Sequence, residues 1–528
     1  MRQPHDAIII GGGHNGLVTA AYLARAGLDV LVLEKRHVLG GAACSEELYP
    51  GFTFSVCSYV VSLLRPELIR QLDLCRHGLE MIPLPASFTP SLDGRYLLRT
   101  DDGNETYREI SKFSKLDAEM YPEFGRMMTK LARFVRPILS MTPPPLDTYN
   151  PAELMKLLKL GARFRGLGSD LMYDKLKLFT MSSVDFLEEW FETEILKATM
   201  SVSGIIGTFL GVRSPGTAYV LLHHYMGEID GVMRSWGFAK GGTGGVSNAI
   251  ASAARAAGAK IRTEAGIERI LTKNGRATGV VLEGGEEIHG RIVVSSLDPH
   301  RTFLRLLPAN ELPSEFVAGI QKFKMRGSSG KVNLAVDRLP NFTCLPGEGK
   351  HLRGDIAIAP SIDYLERAYD EAKYGTFSSR PYINVVIPSL VDPSVAPPGK
   401  HIVSCFVQYA PYQLAPGKSW DTEREAFGDA VVDTLAEYCP GLKESILFRQ
   451  VVTPLDLERE WGLTEGNIFH GELSLDQLFF LRPHVDAAQY RAPIHSLYMC
   501  GSGTHPGGGI MGAPGMIAAR EILKDWKN

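Results

Sequence analysis

The sequence predicts an α/β protein in which a Rossmann-type nucleotide-binding domain is assembled from separated segments and accompanied by an α+β domain. Residues 6–34 have the pattern strand, glycine-rich turn, helix and strand. Glycine-rich segments return at 236–245 and 501–515, with helical and strand-rich stretches between them. Clustered glycines are typical of backbone that passes close to a ligand, so the three segments are predicted to form one domain.

The opening segment has the elements of a βαβ unit. Asp6–Ile10 is a short apolar run, as expected of a strand buried in a parallel sheet. Leu17–Ala26 is helical in composition and ends at Gly27, and Val30–Leu33 is a second apolar strand. Only Met1–His5 precede the first strand, so no signal or transit peptide is expected and a cytoplasmic location is predicted.

The turn of this unit carries a dinucleotide-binding pattern. Gly11, Gly13 and Gly16 form G-x-G-x-x-G directly after a strand. The first glycine permits the tight turn, the second lets backbone amides approach a pyrophosphate, and the third allows close helix–sheet packing. Glu34 follows the second strand, where a carboxylate accepts hydrogen bonds from a ribose diol. The segment therefore predicts a bound dinucleotide.

A second match to the same pattern is interpreted as a coincidence. Gly507, Gly509 and Gly512 follow His505 and Pro506 rather than a strand, and no acidic residue follows at the required spacing. One dinucleotide is therefore expected, without a separate NAD(P)H domain.

Composition excludes several classes of protein. The 528 residues are 45% apolar and 22% charged, and 56 Lys+Arg against 59 Asp+Glu give a net charge of −3, so no basic surface for nucleic acid is expected. The seven cysteines include no CxxC or zinc-ligand spacing, and no metal site is predicted. Ala198–Val212 is too short to span a membrane, and Ala492–Ala519 contains too many Gly and Pro residues.

Several motifs together resemble the phytoene-desaturase-like FAD-dependent oxidoreductases. They are Gly11–Leu17 (GGGHNGL), Glu34–Ala42, Ser214–His224, Gly466–His470 and Cys500–Gly509. The resemblance extends from about residue 6 to residue 522. It implies FAD as the cofactor and the two-domain architecture of amine oxidases and phytoene desaturases.

The resemblance also implies a role for individual residues. Gly11, Gly13 and Gly16 would hold the pyrophosphate and Glu34 the AMP ribose, while Arg36, Gly40 and Gly41 would line the ribityl and pyrophosphate side. Ile267 would meet the adenine through its backbone. The residues expected along the flavin are Gly501, Gly503, Thr504, Gly512 and Ala513.

These assignments divide the chain into five segments. Residues 1–85, 235–304 and 486–528 are predicted to form the FAD-binding domain. Residues 86–234 are predicted to be a mainly helical part of the substrate domain, and residues 305–485 its strand-rich part.

The predicted function is FAD-dependent dehydrogenation or desaturation at a C–C bond of an apolar, polyene-like or lipid-like small molecule. Candidates for moving a proton are His223, His224, Lys240, His470 and His505, since histidine titrates near neutral pH and Lys240 precedes a glycine pair. An ordinary structural role is the commoner outcome for any one of them. Two alternatives stay open: a flavin-dependent non-redox isomerase, and a regulatory or binding protein that keeps FAD as a structural element.

The partners are less closely defined by the sequence. For the electron acceptor, oxygen and a quinone are both open alternatives. A homo-oligomeric state is also an open alternative. Leu154, Leu157 and Leu158 alternate with basic residues in a stretch that ends at Arg165. Such a basic amphipathic pattern is typical of a peripheral membrane contact and equally of a helix on a domain surface.

Overall fold

The computed structural model describes residues 3–146, 148–166 and 168–527. The strands are β1 (His5–Ile10), β2 (Val30–Leu33), β3 (Ser45–Tyr49), β4 (Phe52–Ser55), β5 (Met81–Pro83), β6 (Ala86–Pro90), β7 (Tyr96–Thr100), β8 (Glu228–Ile229), β9 (Val232–Met233), β10 (Gly237–Ala239), β11 (Lys260–Arg262), β12 (Ile267–Lys273), β13 (Arg276–Leu282), β14 (Glu287–Ser295), β15 (Ser329–Val336), β16 (Asp355–Ile358), β17 (Tyr382–Val386), β18 (His401–Gln408), β19 (Ile446–Val452) and β20 (Leu497–Met499).

The helices lie mostly between these strands and on their faces. They are α1 (His14–Arg25), α2 (Pro66–Gln71), α3 (Gly103–Ser111), α4 (Lys115–Val135), α5 (Pro151–Arg165), α6 (Ser169–Thr180), α7 (Ser183–Glu188), α8 (Glu194–Ser201), α9 (Thr217–Tyr225), α10 (Thr243–Ala256), α11 (Ser314–Lys322), α12 (Lys350–Arg353), α13 (Ile362–Lys373), α14 (Trp420–Tyr438), α15 (Leu442–Ser445), α16 (Pro454–Trp461) and α17 (Ala513–Lys527).

The first large sheet is assembled from three separate parts of the chain. Its order is β11-β2-β1-β14-β13-β12, and β20 also pairs with β14. The pairs β11–β2, β2–β1, β1–β14 and β14–β20 are parallel, whereas β12, β13 and β14 form an antiparallel meander. Helices α1, α10 and α17 pack together beside this sheet. The predicted α/β fold class is therefore confirmed.

The amino-acid pattern explains the opening of this sheet. The last four residues of β1 and all four of β2 are buried apolar side chains, as a strand covered on both faces requires. Helix α1 begins at His14, three residues earlier than predicted. Gly13 is its N-cap, so the turn between β1 and α1 has only three residues. The carboxyl ends of β1 and β2 thus meet the start of α1.

The second large sheet has the order β19-β15-β18-β17-β16-β6-β7. Strands β6 and β7 belong to residues 86–234, which the sequence predicts to be mainly helical. The two short strands form a hairpin that joins the sheet through a parallel pair with β16, a pairing that local periodicity does not reveal. Buried Phe124, Leu196 and Leu221 place α4, α8 and α9 in one apolar cluster.

The residue boundaries of the five predicted segments stay a prediction. Among the helices that the structure describes, none combines the length and the apolar character needed to cross a bilayer.

Candidate functional site

A large cavity opens at the carboxyl ends of β1 and β2. Its empty space, including the part open to solvent, is about 1880 Å³. The ends of parallel strands are where nucleotide-binding α/β folds place their ligands. The cavity wall brings together many of the predicted cofactor residues, namely Gly11, Gly13, Glu34, Arg36, Gly40, Gly41 and Ile267.

The glycine turn leaves backbone open to this cavity. A Cβ atom built on Gly13 would meet no atom within 4 Å, so the space in front of this residue is free. Gly16 lies behind the wall, where a Cβ atom would approach the carbonyl oxygen of Gly11 to 2.4 Å. Gly13 therefore provides close approach for a ligand, and Gly16 provides helix–sheet packing.

Glu34 is fixed at the end of β2 by two backbone hydrogen bonds. The amide of Gly12 donates to its Oε2 at 2.7 Å and the amide of Arg36 to its Oε1 at 2.9 Å. The Arg36 guanidinium donates to Glu46 at 2.9 Å and lies 4.9 Å from the ring centroid of Trp461. A buried carboxylate held in this way is preorganised to accept hydrogen bonds from a ribose.

Among the described residues, five polar side chains of the wall have buried atoms without a hydrogen-bond partner. These atoms are Nε2 of His14, Oδ1 of Asn15, Oγ of Ser62, Nε1 of Trp461 and Nδ1 of His470. Burial lowers the pKa of His14 to about 4, and the charge of nearby His470 adds to this effect. Burial also lowers the pKa of His470. Both imidazoles are neutral at pH 7, so they can serve as hydrogen-bond donors or acceptors for a polar ligand. The glycine turn, Glu34 and these unpaired atoms fit a dinucleotide such as FAD.

The C-terminal glycine segment contributes to the wall through different residues from those predicted. Ser502, Gly509 and Ile510 line the cavity. The predicted Gly501, Gly503, Thr504, Gly512 and Ala513 are buried behind it. Packing accounts for three of them, since a Cβ atom would approach Ser296 O to 2.4 Å from Gly501, Pro299 Cδ to 2.5 Å from Gly503 and Leu68 Cδ1 to 2.6 Å from Gly512. These three glycines allow neighbouring parts of the chain to pack closely.

A second cavity shares wall residues with the first, and its empty space, including the part open to solvent, is about 1910 Å³. Its walls come mainly from β6, β16 and β17 on one side and α4, α8 and α9 on the other. The residues that line both cavities are Tyr59, Val60, Ile206, His224 and Trp236. These five residues, here called the junction, are the part of the wall that the two cavities share.

Aromatic rings form much of the wall near the junction. Tyr59 stacks on Phe406 with centroids 5.3 Å apart and ring planes 19° from parallel. His224 stacks on Trp236 at 5.9 Å and on Phe469 at 6.1 Å. Flat apolar walls of this kind are suited to a planar ring system or an unsaturated substrate.

The predicted proton carriers differ in their positions. His224 and His470 line the cofactor cavity. His505 is buried outside both walls, and its Nε2 lies 2.9 Å from the carbonyl oxygen of Ile138. His223 is buried outside the walls as well. Lys240 is exposed and pairs with Glu80 at 2.9 Å, so the glycines after it do not bring its charge to the site.

His224 is the histidine at the junction. Its Nδ1 lies 2.9 Å from the carbonyl oxygen of Val220, and the backbone of Ser203 is a second hydrogen-bond partner of the ring. Burial lowers the pKa of His224 to about 4, so the imidazole is neutral at pH 7. A neutral imidazole can accept or relay a proton at the junction.

Sequence reasoning missed a buried amine behind the junction. The Nζ of Lys331 donates to the carbonyl oxygens of Ser55 and Ser58, the latter at 2.7 Å, and lies 6.0 Å from the Tyr59 ring centroid. Burial lowers the pKa of Lys331 to about 7. The sequence signal for this amine was a single lysine within a mainly apolar run. That run forms strand β15, all of whose residues are buried.

The comparisons with known proteins agree with this architecture. Residues 16–523 match the family described as flavin containing amine oxidoreductase. The chain is 43% identical to pyridine nucleotide-disulfide oxidoreductase domain-containing protein 2 of Rattus norvegicus, over 100% of this chain and 95% of the relative. It is 27% identical to a limonene dehydrogenase component of Castellaniella defragrans, over 98% of this chain and 94% of that protein.

Solved structures share the fold at low identity. An oxidoreductase from Methanosarcina mazei has a TM-score of 0.60 at 17% identity, covering 98% of this chain and 100% of its own. Putrescine oxidase has a TM-score of 0.58 at 16% identity, with 100% of both chains covered. The sequence-based family resemblance and the FAD cofactor are confirmed. This chain belongs to the flavin containing amine oxidoreductase family.

Proposed function

We propose that this oxidoreductase transfers hydrogen at a C–C bond of a largely apolar molecule held in the second cavity. The junction is the observation that carries the proposal, because its five residues line both the cofactor cavity and the second cavity. The junction residues are aromatic, aliphatic or neutral, and none of them is a carboxylate that would attract a substrate ammonium group.

The names of two relatives support a hydrocarbon substrate. The limonene dehydrogenase component is 27% identical to this chain, and prolycopene isomerase 2 of an Oncidium hybrid cultivar is 25% identical over 99% of this chain. Both names refer to unsaturated hydrocarbons. We therefore propose an unsaturated or polyene-like apolar body for the substrate of this chain.

The residues of the junction would orient the substrate and exclude water. Bound FAD supplies the acceptor or donor of a hydride. Tyr59 and Trp236 would hold the apolar body by stacking, and Ile206 would limit the access of water. His224, neutral at pH 7, would take up or deliver the proton that accompanies hydride transfer.

Product analysis tests this proposal. The holoprotein would be incubated with a panel of monoterpenes, carotenoids and unsaturated lipids, with oxygen or a quinone analogue as acceptor, and products would be separated and weighed by mass spectrometry. The proposal predicts a product that differs from its substrate by two hydrogen atoms. A product of unchanged mass but new retention would instead identify an isomerase. No conversion, in a protein that unfolds when FAD is removed, would favour the binding-protein alternative.

A further inference from the structure

Two arginines face the second cavity from different elements. Arg99 lies on β7, Arg234 directly follows β9, and both line the cavity together with Tyr121 of α4. Arg234 Nη2 donates to the Tyr121 hydroxyl at 2.6 Å, and Arg99 Nη1 approaches the same hydroxyl at 3.4 Å. These three side chains, here called the arginine cluster, place two cations around one hydroxyl in the wall of the second cavity.

Neither guanidinium has a carboxylate of its own. Throughout the described part of the chain, no Asp or Glu oxygen forms an ion pair with Arg99 or Arg234, whereas Arg36, Arg136 and Arg326 each pair with a glutamate. Arg99 Nη2 donates to the Ser87 hydroxyl at 2.9 Å, and its Nε is buried without a partner. Both arginines are only partly exposed, and cations held partly out of water without a paired anion are costly, which indicates that an anion comes from outside the chain.

Arg234 is held in place at a conformational cost. Its φ of 64° lies in the left-handed region, which residues other than Gly, Asn and Asp seldom adopt. Its guanidinium lies 4.5 Å from the ring centroid of Tyr225 and 5.2 Å from that of Tyr121. Backbone strain and two flanking rings therefore keep the guanidinium preorganised toward the cavity.

Two acidic side chains, Asp101 and Asp355, also line this cavity. Asp355, on β16, accepts a long hydrogen bond of 3.4 Å from Ser87 Oγ, and burial raises its pKa. Because Asp101 is exposed to solvent, the two arginines are balanced mainly by Asp355 and leave an excess of one positive charge when its carboxyl is ionised. A carboxylate carries one negative charge and matches that excess, whereas a phosphate monoester brings about −1.5 to −2.

We propose that the substrate ends in a carboxylate, and that Arg99, Arg234 and Tyr121 bind this group while the apolar body extends to the junction. The proposal rests on the proposed function, because it specifies the substrate of the same cavity. Paired guanidinium forks suit the two oxygens of a carboxylate. Arg234 and the junction residue Trp236 are two positions apart, which limits their Cα separation to about 7 Å.

Binding to the holoprotein tests the proposal without turnover. The flavin absorption spectrum would be followed during anaerobic titration with carboxylates of increasing length, from octanoate to oleate, each beside its methyl ester, its alcohol and its alkyl phosphate. The proposal predicts that the best carboxylate binds about tenfold or more tightly than its ester and alcohol, as expected for charge-assisted hydrogen bonds. Equal binding, or no binding of any carboxylate, would overturn it, and so would a preference for the phosphate.

Variants assign the preference to the arginine cluster. In Arg99→Met and Arg234→Met we expect the carboxylate-to-ester preference to fall to about one, and in Tyr121→Phe, which keeps the ring, we expect a partial loss. The control is Arg95→Gln, whose guanidinium is 70% exposed and pairs with Asp93 outside the cavity. Retention of the full preference in Tyr121→Phe and in both methionine variants would contradict the proposal.

The outcomes separate this inference from the proposed function. Arginine-dependent carboxylate binding without flavin reduction by any compound would preserve the inference and count against the proposed function. Flavin reduction by a neutral hydrocarbon, with carboxylates bound no better than esters, would preserve the proposed function and overturn the inference.

Discussion

At the scale of single residues, Gly13 shows how one missing methyl group serves cofactor binding. Its φ of −65° is accessible to alanine, and a Cβ atom would enter open cavity space rather than protein. Gly13→Ala is therefore expected to fold normally but to lose FAD, because the methyl occupies the space that the pyrophosphate needs. We expect the FAD content of the purified protein to fall by about tenfold or more.

Flavin absorbance per chain measures this effect, with Gly161→Ala as the matched control. Gly161 lies on the exposed helix α5, and a Cβ atom there would also meet nothing within 4 Å. Full FAD content in Gly13→Ala would contradict the assignment of the turn.

Tyr121 gives the arginine cluster a pH dependence. Burial alone raises the pKa of Tyr121, but the guanidinium groups of Arg234 and Arg99 outweigh it and lower that pKa to about 8. Tyr225 and Asp355 also interact with the arginines of the cluster, and burial raises the pKa of each; Asp101 lines the same cavity at an exposed position. Above pH 8 the tyrosinate would repel a bound carboxylate, so affinity should fall. Measuring carboxylate affinity between pH 6.5 and pH 9 tests this expectation. In Tyr121→Phe the affinity should no longer fall above pH 8. The same fall in Tyr121→Phe as in the wild type would contradict the role given to Tyr121.

The residues of the substrate side were harder to predict from sequence than those of the cofactor side. The glycine turn and Glu34 are recognisable because they follow one another in a single βαβ unit. Lys240 attracted attention by its position before two glycines, but its neighbour in space is Glu80. Arg99 and Arg234 lie on different elements and meet only after folding, so no local pattern indicated their role.

At the scale of elements, consecutive buried apolar runs were predicted well and the short β6–β7 hairpin was not. Val30–Leu33 is a strand with the predicted bounds because four consecutive buried apolar residues permit few alternatives. Strands β6 and β7 were missed because each is short and their partner β16 lies more than 250 residues away in sequence. The omission matters, since β6 and β7 carry Ser87 and Arg99 of the second cavity.

Helix α5 has the surface expected of a peripheral membrane contact. None of its described residues is buried, and Leu154, Met155 and Leu158 are 42%, 51% and 66% exposed. Lys159 and Arg163 lie on the same short helix. We propose that α5 contacts anionic lipid, which would give the protein access to an apolar substrate.

Vesicle sedimentation tests this contact. We expect the protein to bind vesicles containing phosphatidylserine more tightly than neutral vesicles, and Lys159→Glu to weaken binding by about tenfold, given about 1 kcal/mol per basic residue near an anionic surface. The control is Lys443→Glu, an equal charge change at an exposed side chain of α15. Equal loss in both variants would indicate a nonspecific charge effect and contradict a role for α5.

At the scale of the whole molecule, buried neutral histidines couple stability to pH. Burial lowers the pKa of His14, His224 and His505 to about 4 each. Because the unfolded chain binds protons near pH 6.5 and the folded chain does not, the stability contributed by the neutral imidazoles is complete above pH 6.5 and is lost as the pH falls toward 4. We expect the thermal midpoint to fall steadily across this interval.

One variant isolates a single histidine. His505→Gln keeps a donor for the Ile138 carbonyl and should reduce the pH slope of the unfolding free energy by up to about 1.4 kcal/mol per pH unit. His289→Gln, at an exposed position, should leave the slope unchanged. A midpoint independent of pH between 6.5 and 4.5 would contradict the linkage.

The central claim is that a substrate in the second cavity reaches the flavin through the junction. Its most direct test is anaerobic bleaching of the flavin absorbance by candidate apolar compounds, in the wild type and in Ile206→Trp, which narrows the junction while leaving the glycine turn and Glu34 unchanged. The account predicts that a substrate bleaches the wild-type flavin and that Ile206→Trp retains FAD but bleaches at least about tenfold more slowly. Bleaching at equal rates in the two proteins would contradict it.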